Sequence, residues 1–293
     1  MASDSTRFSL IPLSPDVKGE KPVRRRIYLV RNAESCDRLC QAWRHKAFRD
    51  HGIYRLVDLN QPVKIYDRPA DAFKNDSPVT QVGSLSAQLV GRGMCMRSCG
   101  VHTVYSSPAL RCVQSAASVV STLNMKRGPR ICVEPGLVNP LLFYWQDRLP
   151  SFLSTNQFTE CGYPIETEYE PRYSVQQMSE KLFQEKSIPE MYTRLAKVAE
   201  VITEASKERV DGGVLVVTHA PIIDVLVRII TEKVDRPRTV EDLYRMGLNY
   251  PFSSVTTLEV DAKTGKWVYL PDAIPGLSYM HVSTHVEIPQ FSD

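Results

Sequence analysis

Residues 27–35 read Ile27-Tyr28-Leu29-Val30-Arg31-Asn32-Ala33-Glu34-Ser35, a short apolar run that stops abruptly on polar side chains. A run this short, apolar without alternation and bounded by turn residues, suits a strand buried on both faces. Three more stretches repeat the pattern. Val101-His102-Thr103-Val104-Tyr105 ends in Ser106-Ser107-Pro108, and Ile131-Cys132-Val133 ends in Glu134-Pro135-Gly136. Val214-Leu215-Val216-Val217 ends in Thr218-His219-Ala220-Pro221. Helical patterns lie between them. One runs from Ser84 to Cys99, weakened by Gly91 and Gly93. Another, Ala109 to Leu123, puts Leu110, Val113, Ala117 and Val120 on one stripe, with Ser107 as N-cap and Pro108 in the first turn. Glu190 to Arg209 and Pro221 to Ile230 are two more. Strand alternating with helix predicts an α/β fold, a mostly parallel central sheet with helices on both faces. Ser254–Val260 and Lys266–Leu270 are expected to form a hairpin through Asp261–Gly265.

Working outward, residues 1–22 are rich in Ser and Pro without periodicity and are expected to be a disordered tail. Residues 23–293 then form one domain, with 36–80 and 137–189 as irregular insertions over the sheet. At 293 residues the chain can bury a full core, and its 43% hydrophobic content is ordinary for a globular protein. A net charge of +3 points to neither nucleic acid nor a membrane surface, and Arg24-Arg25-Arg26 reads as a solvated lead-in to the first strand. No apolar stretch is long enough to span a bilayer, and the N-terminus lacks the pattern of a signal peptide. The expected location is cytoplasmic, with the nucleus as an alternative. Seven cysteines are scattered without a disulfide framework, and Cys36/Cys40 and Cys95/Cys99 are spaced to share a helix face. Reduced thiols fit better than a metal site. No phosphate-cradling or dinucleotide glycine motif is present, so no cofactor is expected.

The polar residues that close buried parallel strands meet at the carboxyl edge of the sheet, where ligands bind. Arg31, Arg111, Glu134 and His219 each follow a different strand. Singly, each has an ordinary structural reading: a surface charge, a helix cap or a turn. Together they suit a phosphate. Arg111 falls in the first turn of its helix, where free N–H groups favour an anion. Two guanidiniums can each donate a pair of parallel hydrogen bonds to it. His219 adds a donor, and Glu134 could protonate a leaving alkoxide.

These segments resemble the histidine phosphatase (phosphoglycerate mutase-like) superfamily. Its opening Arg-His-Gly-Glu is matched by Arg31-Asn32-Ala33-Glu34, and its Ser-Ser-Pro-x-x-Arg by Ser106-Ser107-Pro108-Ala109-Leu110-Arg111. Its second histidine is matched in Thr218-His219. Ser107-Pro108-Ala109-Leu110-Arg111-Cys112-Val113-Gln114, Val133-Glu134-Pro135-Gly136 and Gly265-Lys266-Trp267 most resemble the C-terminal phosphatase domain of the suppressor of T-cell receptor signalling (UBA–SH3) phosphatases. That branch also includes steroid-phosphate phosphatases. The resemblance implies that Arg31 and Arg111 grip the phosphoryl group, that His219 stabilises it and that Glu134 is the acid. It also implies homodimerisation.

The departures carry as much weight. The superfamily's nucleophilic histidine stands where this chain has Asn32, its glycine where it has Ala33, and the branch's further arginine where it has Ser35. A carboxamide nitrogen has its lone pair delocalised, so it cannot attack phosphorus as an imidazole does. Loss of a nucleophile from a comparable catalytic unit costs on the order of 10⁴–10⁶ in rate. Asn32 can still donate a hydrogen bond to a phosphate oxygen. The expectation is therefore a pseudophosphatase that binds phosphate or a phosphorylated ligand, or scaffolds a protein partner. The alternative is a residual or unconventional phosphomonoesterase acting on phosphotyrosine or small phosphate esters, with Cys36 or His219 as stand-in nucleophile. A third reading assigns no ligand and leaves partner binding to the two insertions.

Overall fold

Burial of consecutive residues is what sets the sheet. The computed structural model describes residues 25–286, apart from residues 51, 124–127, 145–147, 183, 210–211, 234–235 and 280. The tail expected over 1–22 lies outside the described residues. In chain order, β1 is Arg26–Arg31, α1 Cys36–Leu39, α2 Trp43–Ala47, α3 Gln81–Met96, β2 Val101–Ser106, α4 Leu110–Thr122 and β3 Ile131–Val133. Then come α5 Thr155–Glu160, α6 Val175–Lys181, α7 Ile188–Ala205, β4 Gly213–Thr218, α8 Ala220–Ile230 and α9 Val240–Asn249. The chain closes with β5 Val255–Val260, β6 Trp267–Leu270 and the short pair β7 Ser278–Tyr279 and β8 Val282–Ser283.

The main sheet has the order β3-β2-β4-β1-β5-β6. The strands expected from the four apolar runs are its parallel part: β1 pairs with β4, β2 with β4 and β2 with β3. The expected hairpin is its antiparallel edge, β5 running against both β1 and β6. Every residue of β4 is buried, as a central strand covered on both faces requires. Ile27 and Leu29 of β1 pack on one face, with Leu195 and Val198 of α7, Leu226 of α8 and Leu243 of α9. Tyr28 and Val30 pack on the other, with Val90 and Met94 of α3 and Ala116 and Val119 of α4. Alternation along one strand thus divides the core into two halves.

Several boundaries shift for identifiable reasons. α3 starts at Gln81, three residues before the expected Ser84, because Thr80 caps it by accepting from the Gly83 N–H. α4 starts at Leu110 with Ala109 as N-cap, and the Ser107 Oγ lies 3.1 Å from His219 Nε2. Ala116, not Ala117, lies fully within its buried face. Neither cysteine pair shares a helix face, because α1 ends before Cys40 and α3 ends before Cys99. The insertions carry more order than their composition suggests, holding α1 and α2 in one and α5 and α6 in the other. Both α5 and α6 open with a capping box, at Ser154/Gln157 and Ser174/Gln177. Among the described residues, no helix is long and apolar enough to cross a membrane.

Candidate functional site

The carboxyl ends of β1, β2, β3 and β4 lie side by side, and backbone bonds carry the pairing just past them. Asn32 N–H donates to Thr218 O (2.8 Å), Ser107 N–H to Val217 O (3.0 Å) and Glu134 N–H to Ser106 O (2.8 Å). The sequence-predicted residues are therefore delivered to one edge by the sheet itself.

His219 is buried and follows β4 directly, as the N-cap of α8. Its Nε2 lies 3.1 Å from Ser107 Oγ, and its Nδ1 lies 3.4 Å from Arg111 Nη2. A guanidinium only donates, so Nδ1 is the acceptor and the ring carries its proton on Nε2, directed at Ser107. Burial, followed by the charges of Arg111, Arg31 and Arg194, holds the His219 pKa well below its ordinary 6.5. The imidazole is neutral. In the unfolded chain it titrates near the ordinary value, so that state takes up the proton first as pH falls, and folding stability drops below about pH 6.5. A melting temperature that declines from about pH 7 to about pH 5.5, with a shallower decline in His219→Gln, is the expected result. Equal slopes in the two proteins would exclude His219 as the source.

Arg31 is gripped at the end of β1. Its Nη1 donates to Gly247 O (3.0 Å) and Tyr250 O (2.5 Å), and its guanidinium lies over the Phe252 ring at 3.7 Å. The two carbonyls close the C-terminal end of α9, where the helix dipole favours a cation. Tyr250 is itself fixed, because its hydroxyl donates to Asp224 Oδ1 (3.1 Å) of the buried Asp224–Arg228 pair in α8. Burial, then repulsion from Arg38 and Arg111, lowers the Arg31 pKa to about 10, so it remains protonated at neutral pH. Among the described residues Arg31 forms no ion pair, and the charges that act on it are those of Arg38 and Arg111. Arg38, an exposed residue of α1, was not foreseen among them.

Arg111 donates from Nη1 to Asn75 O (3.0 Å). Burial disfavours its charge, but the fields of Cys112, Tyr144, Asp37 and Asp76 outweigh this and leave its pKa raised. One expectation is corrected here. The start of α4 is not an open anion site, because the Leu110 N–H donates to Asp76 Oδ1 (2.7 Å). Asp76 is fully buried and paired with Arg68 at 2.9 Å.

Asn32 is buried, and its Nδ2 donates to Ala33 O (2.9 Å). The turn that carries it is pinned on both sides. Ala33 N–H donates to Ser115 Oγ (2.9 Å) on α4, and α3 packs so closely that a side chain at Gly83 would lie 2.4 Å from Glu34 O. Ser35, at the place of the branch's extra arginine, is buried and donates to Asp37 Oδ1 (2.6 Å). Two thiols are potential nucleophiles. Cys112 Sγ lies 3.7 Å from His219 Nε2, and Cys36 lies on α1. Burial, first among the causes, pushes each up to about 12, so both are protonated and poor nucleophiles at neutral pH.

Glu134 is almost completely buried and accepts four hydrogen bonds. Oε1 takes the N–H groups of Gly136 (2.7 Å) and Tyr173 (3.3 Å); Oε2 takes the Tyr169 hydroxyl (2.8 Å) and the Arg172 N–H (2.6 Å). A carboxylate has about four acceptor positions, so adding a proton requires one donor to leave. Burial raises the Glu134 pKa and the four donors oppose it, with burial the larger. The loop from Tyr169 to Tyr173 that supplies three of these donors was not legible in the sequence, nor was α9. α9 carried a signal in Thr239-Val240-Glu241-Asp242, which forms a capping box.

No family model matches the chain. Its sequence is 30% identical to the ecdysteroid-phosphate phosphatase of Drosophila melanogaster, over 97% of this chain and 35% of that protein. It is 24% identical to the human ubiquitin-associated and SH3 domain-containing protein A, over 87% of this chain and 38% of that one. The chain thus spans little more than a third of the length of the curated relatives it matches. The crystal structure of the ecdysone phosphate phosphatase of Bombyx mori, in complex with tungstate, superposes with a TM-score of 0.73 at 24% identity. That match covers 88% of this chain and 96% of the other.

Proposed function

We propose, for a chain that carries the histidine-phosphatase fold and has ecdysteroid-phosphate phosphatases and ubiquitin-associated and SH3 domain-containing proteins as its homologues, a phosphate-monoester-binding function without the covalent turnover of that fold. The observation that carries this reading is Asn32, buried next to the end of β1 at the position matched to the superfamily's nucleophile, its carboxamide bonded to Ala33 O, on the sheet edge that also carries Arg31 and His219, with Arg111 3.4 Å from His219. The cations favour a phosphoryl dianion by charge and geometry. Nothing at position 32 offers a lone pair able to attack it. Glu134 adds to the case, since its acceptor positions are already filled.

Binding of tungstate by the whole chain, followed by calorimetry, tests the reading. Wild type is expected to bind it, and Arg111→Ala to bind it about 10–100-fold more weakly, the scale of one or two charge-assisted hydrogen bonds. No binding by a folded wild-type protein would remove the proposal.

A second reading, a phosphomonoesterase working by an unconventional route, is favoured by the phosphatase names of the relatives. The names support it more directly than they support loss of turnover. Its least obstructed form is attack by water on a phosphoryl group held by Arg31 and Arg111, because the Cys36 and Cys112 thiols are both protonated and the free lone pair of His219 faces Arg111. Hydrolysis of an aryl phosphate by wild type that survives in His219→Ala would support water as the nucleophile and rule out the histidine.

A further inference from the structure

A cavity of about 370 Å³ lies between α3, the start of β5 and the segment after β6, and none of the phosphate-pocket residues lines it. Its volume is within the range of small-molecule sites. The walls are mainly apolar: Val90 and Met96 from α3, Val255 from β5, and Ile274, Leu277 and Val286 from the C-terminal segment. That segment has a defined shape. Leu277 N–H donates to Thr284 Oγ1 (2.7 Å) and Thr284 N–H donates to Leu277 O (2.8 Å), closing the small β7–β8 hairpin.

The charged groups in the wall are unequally matched. Asp272 lies 3.5 Å from the His285 ring, whereas Arg92 forms no ion pair among the described residues. The cavity therefore offers apolar surface and one cation, Arg92, that has no ion-pair partner among the described residues, while the Asp272 carboxylate in the same wall is mostly exposed to solvent. Ser253, also in the wall, is buried in the left-handed backbone region (φ 60°) and is held there by a 2.6 Å contact with Ser86 Oγ. A non-glycine residue in that region is a local strain that packing must maintain.

We propose that this cavity binds a small, mainly apolar molecule carrying one acidic group, its body against Val90, Ile274 and Leu277 and its acid at Arg92. The location ties such a molecule to Arg31 through the backbone. Ser253 sits in the turn whose neighbours Tyr250, Phe252 and Ser254 hold Arg31 by a carbonyl, a ring face and a backbone bond. An occupant of the cavity touches the segment that positions that arginine.

The test uses the full chain and two dyes, 8-anilinonaphthalene-1-sulfonate and its uncharged parent N-phenyl-1-naphthylamine. Wild type is expected to bind both saturably, one per chain. A Cβ at Gly93 would stand 3.2 Å from Ile274 Cγ2, so Gly93→Leu fills the space from a helix position that favours leucine over glycine. It should weaken both dyes at least about tenfold, because the apolar surface is then covered by the protein's own side chain. Arg92→Ala should weaken the sulfonate by about fivefold, the scale of a solvent-touched charge pair, and leave the uncharged dye unchanged. Circular dichroism checks that each variant is folded. Failure of wild type to bind either dye overturns the proposal, as does unchanged binding of both dyes in a folded Gly93→Leu. Should that variant misfold, equal sulfonate affinity in Arg92→Ala and wild type overturns it alone.

Discussion

Asn32→His is expected to raise hydrolysis of an aryl phosphate by about 10³-fold or more, somewhat under the roughly 10⁴–10⁶ that loss of a nucleophile costs a comparable unit. The backbone that would carry the new imidazole is already in place. Asn32 N–H is bonded to Thr218 O and Ala33 N–H to Ser115 Oγ, so position 32 is held from β4 and α4 whatever its side chain. The imidazole nitrogen would attack phosphorus and form an N–P bond as the ester oxygen leaves, and water would then release phosphate and restore the ring. Two features keep the gain below that range. Ser35 supplies no charge where the branch has an arginine, and Glu134 must shed one of its four donors before it can protonate the leaving oxygen. Initial rates with a chromogenic aryl phosphate measure the gain, and an acid-labile phosphoenzyme identifies the route. A variant that binds tungstate as wild type does yet shows no gain would mean that more than the nucleophile has been lost.

Arg194→Ala is expected to lose about 3–5 kcal/mol of folding stability, the cost of breaking a buried ion pair from one side. Arg194 and Glu185 are both almost fully buried and meet through two bonds, Nε to Oε2 (2.7 Å) and Nη2 to Oε1 (2.9 Å). The same guanidinium donates from Nη1 to Gly136 O and Val138 O. Truncation therefore strands a buried carboxylate and two carbonyls at once, against a total stability of about 5–15 kcal/mol for a typical domain. Urea unfolding measures it, with a lower midpoint at an unchanged slope as the expected form. A loss under about 1 kcal/mol would mean that water reaches Glu185. The site is coupled to this pair, because Gly136 lies between the Arg194 contact at its carbonyl and the Glu134 contact at its N–H. A destabilised variant should also loosen the loop that holds Glu134.

Much of the site was legible because its residues end strands. Arg31, Glu134 and His219 could be placed at one edge from the four apolar runs alone, and Arg111 from the turn that follows β2. What those side chains touch was not legible. The start of α4 looked like an open anion site until Asp76, distant in sequence from Leu110, was found bonded to it. Arg31 looked like a free phosphate ligand, yet two carbonyls from the end of α9 and the Phe252 ring already hold it.

By itself, then, the sequence determined the parallel strands, their helices and the edge where the polar residues gather. Unbroken apolar runs have few places to go except the middle of a covered sheet, and the residues next to them are carried to its rim. It also determined the chemistry available at position 32, since a carboxamide is no nucleophile in any fold. Only the tertiary structure decided the hydrogen-bond partners of Arg31, Glu134 and His219, the charge state of that histidine, and the separate cavity beside Arg92. Each depends on groups brought together from distant parts of the chain, where burial and neighbouring charge act over a few ångströms and sequence separation carries no record of them.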